Sequence, residues 1–312
     1  MKILFTGASS FTGFWFAQEL SRAGHEVTAI FRRRAEDYTD EPRRKRVQML
    51  GGVCRPVVGV EFGDEKFIEL IRQGGWDALC HHAADVTNYR SADFDVATAL
   101  QNNTRNLASV THALKDANCS RIVLTGSVFE NDEGAGSEDL PAFSPYGLSK
   151  ALTAQMFRYY AGRARLSLGK FVIPNPFGPF EEPRFTGYLM KNWFAGITPA
   201  VSTPLYVRDN IHVSLLAKVY ANFVQTLPAA AEFTKINPSG YVESQGSFAL
   251  RFAREMQPRL RINCPLEMKT QADFSEPRIR INTDVPDAAA LKWDERAAWD
   301  AIADYYRPLH SK

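Results

Sequence analysis

The first half of the chain predicts a doubly wound α/β fold on a parallel sheet, and three observations carry the prediction. Short apolar runs alternate with amphipathic stretches up to Ile173, the rhythm of parallel strands covered by helices on both faces. The first run, Lys2 to Thr6, passes through a turn bounded by Gly7 and Gly13 straight into an apolar segment. That strand–turn–helix order is the one in which helix N–H groups receive a phosphate. No internal repeat or low-complexity tract disturbs the rhythm.

Taken in order, the apolar runs place strands at Lys2 to Thr6, Glu26 to Phe31, Val53 to Val58, Ala78 to His81, Arg121 to Thr125 and Gly169 to Ile173. Helical periodicity places helices between them at Phe11 to Ala23, Glu65 to Gln73, Ala92 to Ala117 and Pro145 to Arg163. After Ile173 the rhythm breaks, because Pro174-Asn-Pro-Phe-Gly-Pro179 and Glu182-Pro183 crowd breakers into one stretch. Beyond it lie short strands and helices near Ser214 to Gln225, Glu243 to Met256 and Asp294 to Tyr306. The expectation is a nucleotide-binding domain over 1–174, to which 207–237 returns, and a smaller C-terminal substrate-binding lobe over 175–312.

The 312 residues, 45% hydrophobic and 23% charged, have the composition of an ordinary globular protein. A net charge of +2 argues against a nucleic-acid or anionic-membrane partner. Met1-Lys2 runs directly into Ile3-Leu4-Phe5, so no secretory leader is expected, and no apolar run approaches the roughly 18 residues of a membrane span. A cytoplasmic location is expected. Cys54, Cys80, Cys119 and Cys264 are scattered, with no Cys-x-x-Cys and no histidine at ligand spacing. Buried reduced thiols are expected, and no metal site.

The chemistry sits at Tyr146-Gly-Leu-Ser-Lys150, preceded by Thr125-Gly-Ser127. A phenol and an ammonium four positions apart share a helix face, and the positive charge favours the phenolate, drawing the phenol down from about 10. Tyr146 is then a candidate general acid/base for a carbonyl or alcohol. In isolation such a pair is more simply a solvated helical pair; the neighbouring motifs reverse that.

In the opening turn Gly7 permits a tight bend and Gly13 close helix packing, while Ser9, Ser10, Phe11 and Thr12 present their backbone to a pyrophosphate. The next strand ends Ile30-Phe31-Arg32-Arg33-Arg34 where an acid would hold the ribose hydroxyls of NAD. A guanidinium from Arg32, or from Arg33 in its place, can pair with a 2′-phosphate that a carboxylate would repel. NADP(H) is therefore the preferred cofactor, with NAD possible. The competing reading makes these arginines part of a solvated basic surface with Arg43-Arg44-Lys45-Arg46, and the interspersed Glu36, Asp37, Asp40 and Glu41 favour it for that later cluster.

Thr6 to Gly13, His81-His82-Ala83-Ala84, Ser127 and Tyr146 to Lys150, in this order, resemble the extended short-chain dehydrogenase/reductase family, with its Rossmann-type domain. That family includes nucleotide-sugar epimerases, dehydratases and 4-keto reductases. Asn175-Pro-Phe-Gly-Pro179 is similar to its Asn-x-Tyr/Phe-Gly-Pro loop, and Val207-Arg-Asp-Asn-Ile-His-Val213 to its Arg-Asp-x-Ile-His-Val segment. The resemblance implies that Tyr146 exchanges a proton with the substrate oxygen while hydride moves to or from nicotinamide. Lys150 would bind the nicotinamide ribose, and Ser127, with Thr125 as the competing position, would hydrogen-bond the substrate oxygen. Asn103, or its neighbour Asn102, would support the lysine through water. His81, Ala83, Ala84 and Pro174 would line the dinucleotide.

On the substrate side the resemblance points to Asn175 and to Arg208, whose planar fork suits a diphosphate. Arg278 is a second clamp or an ordinary surface arginine. His212 is expected to be structural, Phe14, Trp15 and Phe16 to pack helix on sheet, and Phe177, Tyr188 and Trp193 to be core or to stack on a base. The chain departs from the family at Ser10, at Val58-Gly59-Val60, which lacks the adenine-holding acid unless Glu61 replaces it, and at Val128-Phe129-Glu130 in place of Val-Tyr-Gly. No Asp-Glu pair flanks Ser127, which disfavours dehydration.

The function so expected is an NADPH-dependent reductase of the 4-keto group of a nucleotide-linked deoxysugar. The alternative is an NAD-dependent nucleotide-sugar 4-epimerase, and from another class a non-catalytic NADP-sensing protein. The family's four-helix contact implies a homodimer.

Overall fold

The structure is a computed structural model in which residues 1–310 are described. The described chain divides into two compact units, residues 1–133, 141–173 and 217–237 forming the first and 134–140, 174–216 and 238–310 the second. Among the described residues no helix is long and apolar enough to cross a membrane.

The first unit runs β1 (Lys2–Thr6), α1 (Phe11–Arg22), β2 (Glu26–Phe31), α2 (Glu41–Leu50), β3 (Arg55–Val58), α3 (Glu65–Arg72), β4 (Ala78–His81), α4 (Val96–Asn103), α5 (Leu107–Asp116), β5 (Arg121–Ser127), α6 (Pro145–Ala164) and β6 (Ser167–Ile173). The chain continues through β7 (Asn175–Phe177), α7 (Phe185–Phe194), β8 (Ala200–Val201), β9 (Val207–His212) and α8 (Val213–Thr226). It closes with β10 (Phe233–Ile236), β11 (Tyr241–Ser244), α9 (Gln245–Leu260), β12 (Glu267–Met268), β13 (Ile279–Arg280) and α10 (Glu295–His310). The first unit's sheet has seven parallel strands in the order β10-β6-β5-β4-β1-β2-β3.

Apolar strand runs, rather than alternation, are what a parallel sheet covered on both faces requires. On one face Leu4, Leu79, Ile122 and Leu124 meet Phe67, Ile71, Val110, Leu114, Phe157 and Ala161 of α3, α5 and α6. On the other, Phe16 of α1 stacks on Tyr220 of α8 with centroids 4.1 Å apart, and Phe171 of β6 closes edge-on against both. Phe14 and Phe16 are buried, as helix-to-sheet packing demands.

Several elements differ from the sequence expectation. The helix expected over Ala92 to Ala117 is two helices. Asp95 caps α4 by accepting from Thr98 N, and Asn106 breaks the run in the left-handed region at φ 51°. The break has a packing cause, since the Asn106 amide donates to Gly63 O and a Cβ on Gly63 would lie 1.9 Å from Arg105 O. Second, the basic run read as solvated surface is helix α2, started by Asp40, which accepts from Arg43 N at 2.8 Å. Its Val47, Leu50 and Arg46 face inward, so Arg46 is fully buried. Third, β3 begins only at Arg55, because Val53 and Cys54 still bond back to Leu50 O at the end of α2.

In the second unit β9 pairs with β11 antiparallel and with β7 and β13 in parallel. Its core gathers Phe177, Trp193, Phe248, Phe252, Met256 and Trp299. Phe177 and Trp193 are thus core residues, while Tyr188 remains exposed.

Candidate active site

The glycine turn is welded to the ends of β1 and β4. Gly7 has φ 80°, and a Cβ there would lie 2.6 Å from Ala83 N. A Cβ on Gly13 would lie 2.2 Å from Gly7 O. Ser10, standing where the family has its central glycine, is the N-cap of α1, accepting from Gly13 N at 3.1 Å. The first turn of α1 carries no acidic residue, so its positive end is offered to an anion without local repulsion. A dinucleotide's pyrophosphate fits this donor set.

Of the two histidines at the end of β4, His82 faces the turn. Its Nε2 meets Ser10 Oγ and Thr12 Oγ1 at 3.0 Å each, and its Nδ1 meets Thr125 Oγ1 at 2.9 Å. Burial and the Lys150 charge push it down to about 3, so it is a neutral tether. His81 points the opposite way, buried against Phe62 and Phe157 with its Nδ1 on Thr6 Oγ1. Its ring is core and only its backbone remains for a ligand. Ala83 and Ala84 are half-buried, and Ala83 N donates to Thr6 Oγ1.

Beside the turn, at the end of β2, Ser9, Arg32, Arg33, Tyr38, Thr39, Asp40 and Arg43 line a cavity of about 200 Å³. Arg32 and Arg33 are exposed into solvent, and the Arg43 guanidinium lies over the Tyr38 ring. Beneath, buried Arg46 donates from Nε to Ser9 O at 3.0 Å. Sequence reasoning missed Arg43 and Arg46 because charge hid the helix; the Asp40-Glu-Pro42 N-cap signal could have revealed it.

The groups of the Tyr-Lys motif meet the end of β5. Ser144 caps α6 by accepting from Gly147 N, and Pro145 sits in its first turn. A Cβ on Gly147 would lie 2.1 Å from Phe129 O, so this glycine lets the first turn of α6 rest on the loop after Ser127. Phe143 N also donates to Phe129 O at 3.0 Å. Tyr146 is half-buried, its ring edge-on to Tyr89 and Phe94, two aromatics that no motif signalled.

One turn on, Lys150 is buried and donates from Nζ to Thr125 O at 2.5 Å. Burial lowers it to about 8; nearby Glu130 opposes that fall and Lys170 adds to it. The two candidate hydroxyls are held differently. Thr125 Oγ1 is engaged with His82, whereas Ser127 Oγ accepts from Phe129 N at 3.2 Å, leaving its proton to donate elsewhere. Asn103 is buried, accepting from Asp85 N at 2.7 Å and donating to Thr153 Oγ1 of α6 at 3.3 Å. Asn102 lies outside, on Asp85 Oδ2.

In the second unit Asn175 is half-buried on β7 opposite Asn210, and Pro174 is buried. Arg208 has only 12% of its side chain exposed. Its guanidinium pairs with Glu276 at 2.9 Å, donates to Val207 O and Pro277 O, and stacks on Tyr206. Arg278 is exposed over the Phe274 ring. His212 is buried with Nδ1 against Ser214 Oγ, a structural placement. Among the described residues no cluster of His, Cys, Asp and Glu could hold a metal ion, and all four cysteines are buried.

Solved structures share the fold over nearly the whole chain. UDP-glucuronic acid 4-epimerase from Bacillus cereus, in complex with UDP-glucuronic acid and NAD, is 18% identical over 99% of this chain and 100% of that one, with TM-score 0.73. UDP-glucose 4-epimerase from Thermotoga maritima, with UDP-glucose, is 17% identical over 100% of both chains, with TM-score 0.73. UDP-glucose-4-epimerase from Stenotrophomonas maltophila, with NAD and formylated UDP-arabinopyranose, is 20% identical over 99% of this chain and 98% of that one, with TM-score 0.71. No curated protein matches the chain. The model of the NAD dependent epimerase/dehydratase family matches residues 3–236. Because that match takes in the glycine turn, the end of β5 and the first turns of α6 together, the chain belongs to the NAD-dependent epimerase/dehydratase family, as an enzyme of the extended short-chain dehydrogenase/reductase type.

Proposed function

We propose that this enzyme moves a hydride at C4 of a nucleotide-linked sugar, and that it does so as an NADPH-dependent reductase of a 4-keto deoxysugar. The observation that carries the reductase reading is the cavity at the end of β2, whose walls include Arg32, Arg33 and Arg43. Three guanidiniums suit the 2′-phosphate that distinguishes NADP from NAD, and no free acid stands in the position that would select ribose hydroxyls. Asp40, the one carboxylate in that wall, is used by the α2 N-terminus.

A bound nicotinamide would supply the hydride. Ser127, its oxygen already accepting from Phe129 N, points its remaining proton at the substrate's keto oxygen. Tyr146 gives that oxygen its proton. Lys150, still largely an ammonium at neutral pH, holds the ribose and stabilises the phenolate left behind. Asn103 braces α6 through Thr153 and so keeps Tyr146 and Lys150 in register. The aromatic edges of Tyr89 and Phe94 keep water from the Tyr146 ring. For the substrate diphosphate the candidate donors are Arg278, which is exposed, and Arg208, which is engaged with Glu276; Asn175 is the remaining substrate candidate.

A second reading, the NAD-dependent 4-epimerase, draws support from the solved relatives, several of which carry NAD and a UDP-sugar. Cofactor titration separates the two. The reductase should be purified free of nucleotide and bind NADPH at least about tenfold more tightly than NADH, the effect of one to two charge-assisted hydrogen bonds. Tightly held NAD in the purified protein would overturn it in favour of the epimerase. A homodimer is the assembly the family resemblance suggests, and sedimentation would test it.

A further inference from the structure

Behind the end of β5 lies a buried ionic cluster that the proton-transfer scheme does not use. Glu130, fully buried, accepts from Ser127 N through Oε1 at 2.7 Å and from Lys170 Nζ through Oε2 at 2.5 Å. Lys170, on β6, reaches Glu133 Oε1 at 2.7 Å, and Glu133 Oε2 takes Lys235 Nζ and Asn237 Nδ2 at 3.0 Å each. Two carboxylates and two ammonium groups therefore balance. Gly126 makes room: a Cβ there would lie 2.7 Å from Lys170 Cε and 3.0 Å from Glu130 Oε1.

We propose that Glu130 is a positioning residue of this active site, fixing the backbone of Ser127 and offsetting at Lys150 the field of buried Lys170. The stretch Thr125 to Ser127 is what Lys150 and Glu130 share. Lys150 grips its first carbonyl, Glu130 its last amide, and Glu130 N in turn donates to Ser127 O at 3.0 Å. Ser127 is thus held at its N–H, its C=O and its Oγ by the two residues Phe129 and Glu130. Glu130 stands where the Val-Tyr-Gly pattern of the family has its glycine.

Lys150 grips Thr125 O of β5, feels the neutral rings of His81 and His82 at the end of β4, and lies in the opposing fields of Glu130 and of Lys170 on β6, whose other partner is Glu133. Desolvation already pulls its ammonium down to about 8, so it has little margin at physiological pH. Without the Glu130 charge, only Glu133 still offsets Lys170, and Lys150 loses its proton at lower pH. Neutralising Lys170 does the reverse.

The test rests on the proposed role of Lys150 in holding the nicotinamide ribose, and it needs no sugar substrate. Binding of NADPH and NADH is followed by fluorescence from pH 6 to 10 in wild type, Lys150→Met, Glu130→Gln and Lys170→Met. Wild type should show an alkaline loss of affinity that Lys150→Met lacks. Glu130→Gln, which still accepts from Ser127 N, should move that loss to lower pH by about one unit, a tenfold effect in proton affinity. Lys170→Met should move it upward. A limb that stays put in whichever of these two variants folds overturns the role of Glu130 alone. The absence of any Lys150-dependent limb in wild type overturns the reading of Lys150 and this inference with it.

Discussion

Gly147 and Phe129 touch so closely that a single methyl group would not fit: a Cβ on Gly147 would lie 2.1 Å from the Phe129 carbonyl oxygen. That contact joins the helix carrying Tyr146 and Lys150 to the loop that holds Ser127. Because Phe129 O also takes the N–H of Phe143, the carbonyl cannot swing away without breaking a hydrogen bond. Gly147→Ala should cost about 1–3 kcal/mol of stability, the range of an overpacked core position, and should lower kcat more than cofactor affinity. Crystals or spectra showing an unshifted α6 together with wild-type kcat would contradict the contact's importance.

Tyr146→Phe removes the proton donor while leaving its ring against Tyr89 and Phe94. Turnover should fall at least about 100-fold, the lower end of general acid catalysis, with cofactor affinity within about twofold of wild type. Steady-state kinetics and a binding titration on the same preparation decide it; near-normal turnover would remove Tyr146 from the chemistry.

Selectivity for the 2′-phosphate should be carried by the end of β2. Arg32→Ala combined with Arg43→Ala should weaken NADPH binding by about 10–100-fold, the loss of one or two charged hydrogen bonds, and leave NADH binding unchanged. Equal losses for both dinucleotides would mean that the cavity does not read the phosphate.

Buried basic groups give stability and activity opposite trends with alkaline pH. In the folded protein Lys150 is depressed from 10.5 to about 8, so the unfolded chain binds the extra proton between those values and stability rises with pH across that window. The penalty is complete below about 8, so Lys150→Met should raise Tm at neutral pH while abolishing activity. Between pH 8 and 10 wild-type Tm should hold or rise as cofactor affinity falls. A Lys150→Met variant less stable than wild type at pH 7 would contradict the desolvation of this ammonium.

On the acid side three histidines act together. His81, His82 and His212 are each held near 3 by burial against an ordinary 6.5. Below 6.5 the unfolded chain takes up protons that the folded one refuses, so stability is intact above that pH and drains away as pH falls towards 3. Thermal melts at pH 5 and 7 should show the loss, and His81→Phe, which suits the Phe62–Phe157 sandwich, should reduce it.

Much of this was legible along the chain. The alternation of apolar runs with periodic helices locates the sheet because parallel strands are buried on both faces and show it in composition. The Tyr146–Lys150 spacing and the glycines at 7 and 13 are local constraints, set by one helix face and by one turn, and short-range geometry is readable from short-range sequence. The end of β5 illustrates the limit. Strand patterning stops at Thr125, yet pairing with Ile173 carries the strand to Ser127, since a hydrogen-bonded ladder is decided by the neighbouring strand as well as by the residues in it.

What tertiary structure alone decided is which face each polar group turns to and what it meets there. His81 and His82 are adjacent in sequence, but strand pleat sends one ring into the core and the other to the glycine turn. Arg46 sits in a basic run that patterning reads as surface, and only the docking of α2 beneath Ser9 buries it. Glu130 and Lys170, forty residues apart, become one buried ion pair because β5 and β6 are neighbours. Sequence determined the local chemistry; long-range packing chose the partners, because the free energy of a buried charge depends on whatever group the fold brings within reach of it.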